Sequence, residues 1–253
     1  MKNKYIIALL LACFAYTGSV HSQDAMNYYN QGIKLKDDKK YTEALEKFKR
    51  ALSLNPKYSD ALFYAGWCQN ELQNYSSAIS YLHKARQVGP PAARIFFELG
   101  YAFEKTKNND SAYYYYYKCL DISPTYSLAY KQMGNMAYDK DEYTTAMANY
   151  KKYEENAKDS IKDYYYWYKK GFLYNTLKEY GNAKEPLLRS LAIKKDYLNT
   201  YLELGFAAAK LKQDEEAIGY YRSAMALDPN SHIPLNGIAD VYRDNKKNID
   251  EAM

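Results

Sequence analysis

Small and apolar positions recur along this chain with a period of 34 residues. A glycine stands at Gly32, Gly66, Gly100, Gly134, Gly171 and Gly205, at steps of 34, 34, 34, 37 and 34. Twelve residues after each comes an alanine: Ala44, Ala78, Ala112, Ala146, Ala183 and Ala217. Sixteen after it comes a large apolar or aromatic residue: Phe48, Leu82, Tyr116, Tyr150, Leu187 and Tyr221. At plus 19 stand Ala51, Ala85, Cys119, Tyr153, Ser190 and Ala224, and at plus 24 four of the six blocks carry a proline: Pro56, Pro90, Pro124 and Pro229. Within a block the apolar residues fall at helical spacing, so each block predicts two amphipathic helices. Glycine and alanine mark where the two backbones approach, and the plus 16 residue fills the space beside them. Proline cannot continue a helix and marks the turn into the next block. One block cannot bury both of its apolar faces, so neighbours must stack, and an all-α solenoid follows.

These residues resemble the tetratricopeptide repeat family, whose pattern is an aromatic, Leu-Gly, a Tyr, an Ala, a Phe, a small residue and a Pro over 34 residues. The fullest copies are Phe96, Leu99, Gly100, Phe103, Ala112, Tyr116 and Pro124, and Tyr201, Leu204, Gly205, Ala217, Tyr221, Ala224 and Pro229. The resemblance implies a right-handed α-solenoid of stacked antiparallel helix pairs in six copies, about 25–58, 59–92, 93–126, 127–163, 164–197 and 198–230. Departures are Gln31 at the leucine position, Tyr153 at the small position, and Lys158 and Lys195 in place of prolines. The three extra residues before Gly171 should alter the local stacking. Pro186 should bend the second helix of the fifth copy or shift its start.

Residues 231–253 read as a partial seventh copy. Leu235, Ile238, Ala239 and Tyr242 begin its first helix, and Asp250, Glu251, Ala252 and Met253 resemble the opening of its second. The sequence presents no polar capping helix, which leaves this end open to a partner or to self-association. The alternative is the N-terminal module of a longer envelope protein whose activity lies elsewhere.

The N-terminus carries Lys2 and Lys4, an apolar stretch from Tyr5 to Tyr16, and Val20-His21-Ser22. That is the form of a secretory signal peptide cleaved after Ser22, and it predicts export, to the periplasm in a bacterial cell. A competing reading takes Leu10-Leu11-Ala12-Cys13 as a lipobox, with attachment through Cys13. No later segment approaches the ~20 apolar residues of a membrane span.

Charge and reactive residues narrow the functions. The whole chain has 35 basic and 30 acidic residues; without residues 1–22 the net charge is +3. Lysines alternate with acids, as in Lys36-Asp37-Asp38-Lys39-Lys40, so no basic stripe suggests nucleic acid. Cys68 and Cys119 fall in the helical pattern as small buried residues, and His83 and His232 have no acids or cysteines at metal-ligand spacing. No phosphate loop, nucleophile elbow or zinc helix is present, so the sequence predicts no enzyme, cofactor or metal.

The functional signal is aromatic. Of the 253 residues, 32 are tyrosine, and the runs Tyr113–Tyr117 and Tyr164–Tyr168 span every face of a helix, so some rings must be exposed. Offsets of minus 6, minus 3 and plus 1 from each glycine share one helical face, which by resemblance is the groove face. Minus 3 reads Tyr29, Phe63, Phe97, Lys131, Tyr168 and Leu202; plus 1 reads Ile33, Trp67, Tyr101, Asn135, Phe172 and Phe206; minus 6 reads Met26, Asp60, Arg94, Leu128, Tyr165 and Asn199. Tyr29, Phe63, Trp67, Phe97, Tyr101, Tyr165, Tyr168, Phe172 and Phe206 are therefore the candidate partner-binding residues, suited to a peptide or helix of a protein partner. Phe63, Trp67, Phe97 and Tyr101 lie in the two most regular neighbouring copies. The same rings could instead complete packing between copies. The family's carboxylate clamp begins with Lys131 and Asn135 but then meets Lys169, Asn199 and Glu203, and Glu203 would repel a ligand carboxylate.

Overall fold

The computed structural model describes residues 22–157 and 161–252, with side chains described as far as residue 244. The expectations for the signal peptide, Cys13 and Lys158 lie outside the described residues. Every regular element described is helical: α1 (22–37), α2 (Tyr41–Leu54), α3 (Ser59–Glu71), α4 (Tyr75–Val88), α5 (Ala93–Lys105), α6 (Asn109–Ile122), α7 (Ser127–Tyr138), α8 (Tyr143–Asn156), α9 (Tyr164–Thr176), α10 (Tyr180–Ile193), α11 (Leu198–Lys210), α12 (Asp214–Leu227) and α13 (Ile233–Ala252). Odd-numbered helices are the first of each pair, and even-numbered helices are the second. Each packs on its partner and on the next pair, as α3 does on α4 and α5, and α9 does on α10 and α11. The chain forms two compact units, the first ending at Met133 and the second beginning at Gly134 within α7. None of the described helices is long and apolar enough to cross a membrane.

The repeat positions are the core. All six plus 12 alanines are fully buried, five of the plus 16 residues are as well, and Tyr221 is 7% exposed. Gly100 shows why glycine is needed: a Cβ there would lie 2.6 Å from Tyr116 Cδ1. The missing side chain lets the Tyr116 ring lie against the α5 backbone, and burying such a ring contributes ~2–3 kcal/mol. Tyr116 then donates its hydroxyl proton to Glu104 Oε2 at 2.6 Å.

Each described turn from first to second helix is closed the same way. The residue seven after the glycine adopts positive φ: Lys39, Gln73, Lys107, Asp141, Lys178 and Lys212, at 59–63°. Its amide and the next one close back onto the helix, as Lys107 N to Glu104 O and Asn108 N to Phe103 O, both 2.9 Å. This is the paired-bond stop in which a left-handed residue satisfies the last carbonyls. Glycine normally fills that place, and an L residue there costs ~1 kcal/mol or more.

Three expectations meet their outcome here. Tyr153, at a small-residue position, is buried edge-on against Tyr166 with centroids 5.0 Å apart. The longer copy has its extra residues between α8, which ends at Asn156, and α9, which begins at Tyr164; the corresponding connections elsewhere are four or five residues long. Pro186 does not shift the start of its helix: α10 runs through it from Tyr180, nine residues after Gly171, as α6 begins nine after Gly100. Its ring is buried, and the bond it cannot donate lies inside an otherwise regular helix.

The C-terminal expectation is corrected. No turn precedes Asp250, because α13 is one helix from Ile233 to Ala252. Its core-facing residues are Pro234 and Val241, while Leu235, Ala239 and Tyr242 are exposed. Of the four residues expected to begin this helix, Ile238 does pack beside Val241 on Ala208, Ala217 and Tyr221, and the other three face outward.

Candidate functional site

Two ladders of ring contacts organise the first-helix face. Plus 1 rings meet a tyrosine at the start of the preceding second helix edge-on: Trp67 on Tyr41, Tyr101 on Tyr75, Phe172 on Tyr143 and Phe206 on Tyr180, at 5.4–6.4 Å and 72–84°. Minus 3 rings meet a tyrosine from the turn after the second helix: Tyr29 on Tyr58, Phe97 on Tyr126 and Tyr168 on Tyr197, at 5.0–5.1 Å. Edge-to-face contact is the favoured arrangement of aromatic quadrupoles, worth ~1 kcal/mol a pair beyond the area buried. Part of the tyrosine wealth is therefore a stacking code at plus 9, plus 16 and plus 26. The plus 9 and plus 26 tyrosines are plain in the sequence but lie outside the consensus positions, so the repeat pattern does not single them out.

In the first unit neighbouring side chains close over two of the candidate rings. Phe63 is 5% and Phe97 8% exposed. The Arg94 guanidinium lies 4.4 Å from the Phe63 ring centroid and also pairs with Asp60. Phe97 sits between Tyr116 and Tyr126. These two rings serve packing in this structure and leave little area to a ligand. Tyr29, Trp67 and Tyr101 are half-buried, the last two with Lys36 and Lys105 ammonium groups over their rings.

In the second unit the same face opens. Tyr165 is 43% and Phe206 39% exposed, with Tyr168 and Phe172 half-buried. Phe172, Leu202 and Phe206 line a cavity of about 620 Å³ together with Ile233, Asn236 and Asp240 of α13. The last three stand 34 residues after Asn199, Leu202 and Phe206. They thus extend the minus 6, minus 3 and plus 1 series into the seventh first helix, a continuation that a glycine-anchored pattern misses because Ala239 stands in the glycine's place.

Gly237 is a point of close approach between α13 and the second helix before it. Position minus 2 reads Tyr64, Glu98, Gln132, Lys169 and Glu203 from the second copy to the sixth, and Gly237 stands 34 residues after Glu203. Tyr64 stacks on Phe48, and Lys169 lies over Tyr150, so this position covers the plus 16 ring of the copy before. At Gly237 the backbone itself lies against the Tyr221 ring, which is 7% exposed: a Cβ there would lie 2.7 Å from Tyr221 Cε1.

Polar groups on this face are held by the scaffold. Asn175 donates to the Glu203 carbonyl at 3.0 Å and to Glu203 Oε2 at 2.8 Å. In the first unit Asn70 holds Glu98 identically, at 3.1 and 2.7 Å. Burial pushes the Glu98 carboxyl up to about 7, and it also raises Glu203. Lys169, 6% exposed, donates to Asn135 Oδ1, which also accepts from Tyr150 Oη at 2.8 Å. Asn135 is therefore already engaged, so the clamp begun by Lys131 and Asn135 goes no further. Cys68 and Cys119 are free and buried, with thiols pushed up to about 12 by desolvation, which leaves no thiolate for chemistry.

Family models described as tetratricopeptide repeat match residues 35–96, 71–127, 164–197 and 198–231. Among curated proteins no relative matches this sequence. The fold is similar to Pseudomonas aeruginosa pilF, with TM-score 0.70, 15% identity, and coverage of 87% of this chain and 99% of that one. It is also similar to the C-terminal part of a TPR repeat-containing protein from Cytophaga hutchinsonii, with TM-score 0.64, 20% identity, and coverage of 87% and 90%. A third similar chain lies in the APC/C hetero-tetramer Cut9-Hcn1, with TM-score 0.63 and 18% identity over 90% of this chain; there the match spans only 45% of the other chain. With glycine, alanine and ring positions in place through six helix pairs, and with family models covering more than half of its length, the chain belongs to the tetratricopeptide repeat family.

Proposed function

We propose that this protein is an exported, non-catalytic scaffold that holds a peptide or helix of a partner protein against the first-helix face of its second unit. Tetratricopeptide repeats serve protein interaction in general, which sets the class. The observation that carries the finer reading is the cavity of about 620 Å³ walled by Phe172, Leu202, Phe206 and Ile233. Apolar pockets of this size with a few fixed polar groups suit side chains of an inserted segment, and exposed apolar patches of a stable fold mark interaction sites. Binding itself is the mechanism: ring area buried by the partner supplies affinity, typically ~1 kcal/mol or more for each good anchor.

Photo-crosslinking in living cells tests this. Benzoylphenylalanine at Phe206 or Tyr165 should trap one partner segment, and the same label at Tyr114 or Tyr117 of α6, which are exposed on a second helix, should not. Equal labelling from both faces would contradict the reading. Export has its own measure: the intact mass of the mature protein should start at Gln23, and a mass carrying diacylglycerol on Cys13 would show lipidation instead.

A further inference from the structure

We infer that the cavity between α9, α11 and α13 receives a basic side chain, lysine or arginine, from the partner segment, with the Glu203 carboxylate as its acceptor. This rests on the reading of that cavity as the binding site and names what it selects.

Glu203 lines the cavity, and Asn175 fixes it from behind. Asn175 spends its donors on the Glu203 carbonyl and Oε2, so Oε1 receives no hydrogen bond from the described residues. No basic side chain among the described residues forms an ion pair with this carboxylate. A carboxylate drawn out of water without a cation is unfavourable, and burial raises its pKa accordingly. A cation brought by a ligand removes that penalty, whereas an acidic ligand adds to it.

Asp240 repeats the sign. It occupies the plus 1 position, where Phe172 and Phe206 carry rings, and it lines the same cavity. Its partner is Arg243 on its own helix, in a pair exposed to solvent on both sides. Such pairs hold little energy and are readily exchanged. Lys178 is the basic residue of the lining. Glu203 and Asp240 thus line the cavity with one basic residue, Lys178, while Arg243 stays on the outer side of Asp240.

The apolar walls match the rest of a basic side chain. Phe172, Phe206 and Ile233 can cover the methylene stem while the head reaches Glu203. Phe206 already accepts a cation, with Lys210 Nζ 5.3 Å from its ring centroid. Glu98 in the first unit shows that the carboxylate-asparagine pair alone is a packing device. What sets Glu203 apart is the open space in front of it.

Fluorescence anisotropy decides the matter, with a fluorescein-labelled twelve-residue peptide of alternating leucine and arginine titrated with the full chain. Matched peptides carry citrulline or glutamate in place of arginine. The arginine peptide should bind at least about ten-fold tighter than the citrulline peptide, as expected when a buried carboxylate gains its counter-charge. That margin should shrink to about three-fold or less in Glu203→Gln. Asp240→Asn, a change at the exposed side of α13, should shrink it part of the way and serves if Glu203→Gln fails to fold. Equal binding of the arginine and citrulline peptides would overturn the inference; if Phe206→Ala still weakened both, the aromatic site would stand without it. Tighter binding of the glutamate peptide, a margin that survives both variants, or no binding of any peptide would also overturn it.

Discussion

The two units use the same helix face for different ends. In the first, Phe63 and Phe97 are sunk between helices beneath Arg94 and Tyr126. In the second, Phe206 keeps more than a third of its surface, and Glu203 lines an open cavity. The offsets from the glycine are identical in both. How far a ring on this face is covered depends on what the next copy lays over it.

The sharpest way to break this contrast is to truncate one ring from each unit. Phe97→Ala should cost ~3–5 kcal/mol of the first unit's stability, the usual loss for a core aromatic. Phe206→Ala should cost the second unit under ~1 kcal/mol, because an exposed ring gives up little burial. The two tryptophans report the units separately in urea, Trp67 for the first and Trp167 for the second. Similar losses in both units would erase the distinction.

The carboxylates offer the next largest effect. Glu98 has its folded pKa raised to about 7 from 4.5, so the folded protein holds this proton more tightly than the unfolded chain. The stability tied to it is present below pH ~4.5 and is lost as pH rises through ~7. Glu98→Gln mimics the protonated form. It should match the parent at pH 5 and exceed it by up to ~3 kcal/mol at pH 8, because each tenfold gain in proton affinity is worth about 1.4 kcal/mol. A pH-independent difference in urea midpoints would contradict this.

Adding a side chain at Gly237 should disturb the cavity wall of the second unit. A methyl group in Gly237→Ala would press on the Tyr221 ring, costing ~1–3 kcal/mol by overpacking and shrinking the cavity. Peptide affinity measured by anisotropy should fall with it. The smallest effect should be the same in both units. Lys107→Gly and Lys178→Gly each relieve an L residue held at positive φ, and each should gain ~0.5–1 kcal/mol in thermal or urea unfolding.

How legible this molecule was depends on what each feature needed. Gly100 against Tyr116 was readable because close backbone approach admits few residue types, so the constraint is written at every copy. The turns were not, because Lys39, Gln73, Lys107, Asp141, Lys178 and Lys212 are ordinary surface residues, and their strained conformation is imposed by hydrogen bonding rather than chosen by residue type. The coverage of the first-helix face could not be read by offset: Phe63 and Phe206 carry the same kind of ring, and only the neighbouring side chains separate them. The cavity was least legible of all, since α13 contributes to it from a copy whose reference position is Ala239 rather than glycine.

The most direct test of this account is backbone amide hydrogen exchange of the full chain with and without the leucine-arginine peptide. Binding at the second-unit cavity should slow exchange in α9, α11 and α13 and leave α3 and α5 unchanged. Slowing confined to the first unit, or to the second helices α10 and α12, would contradict it.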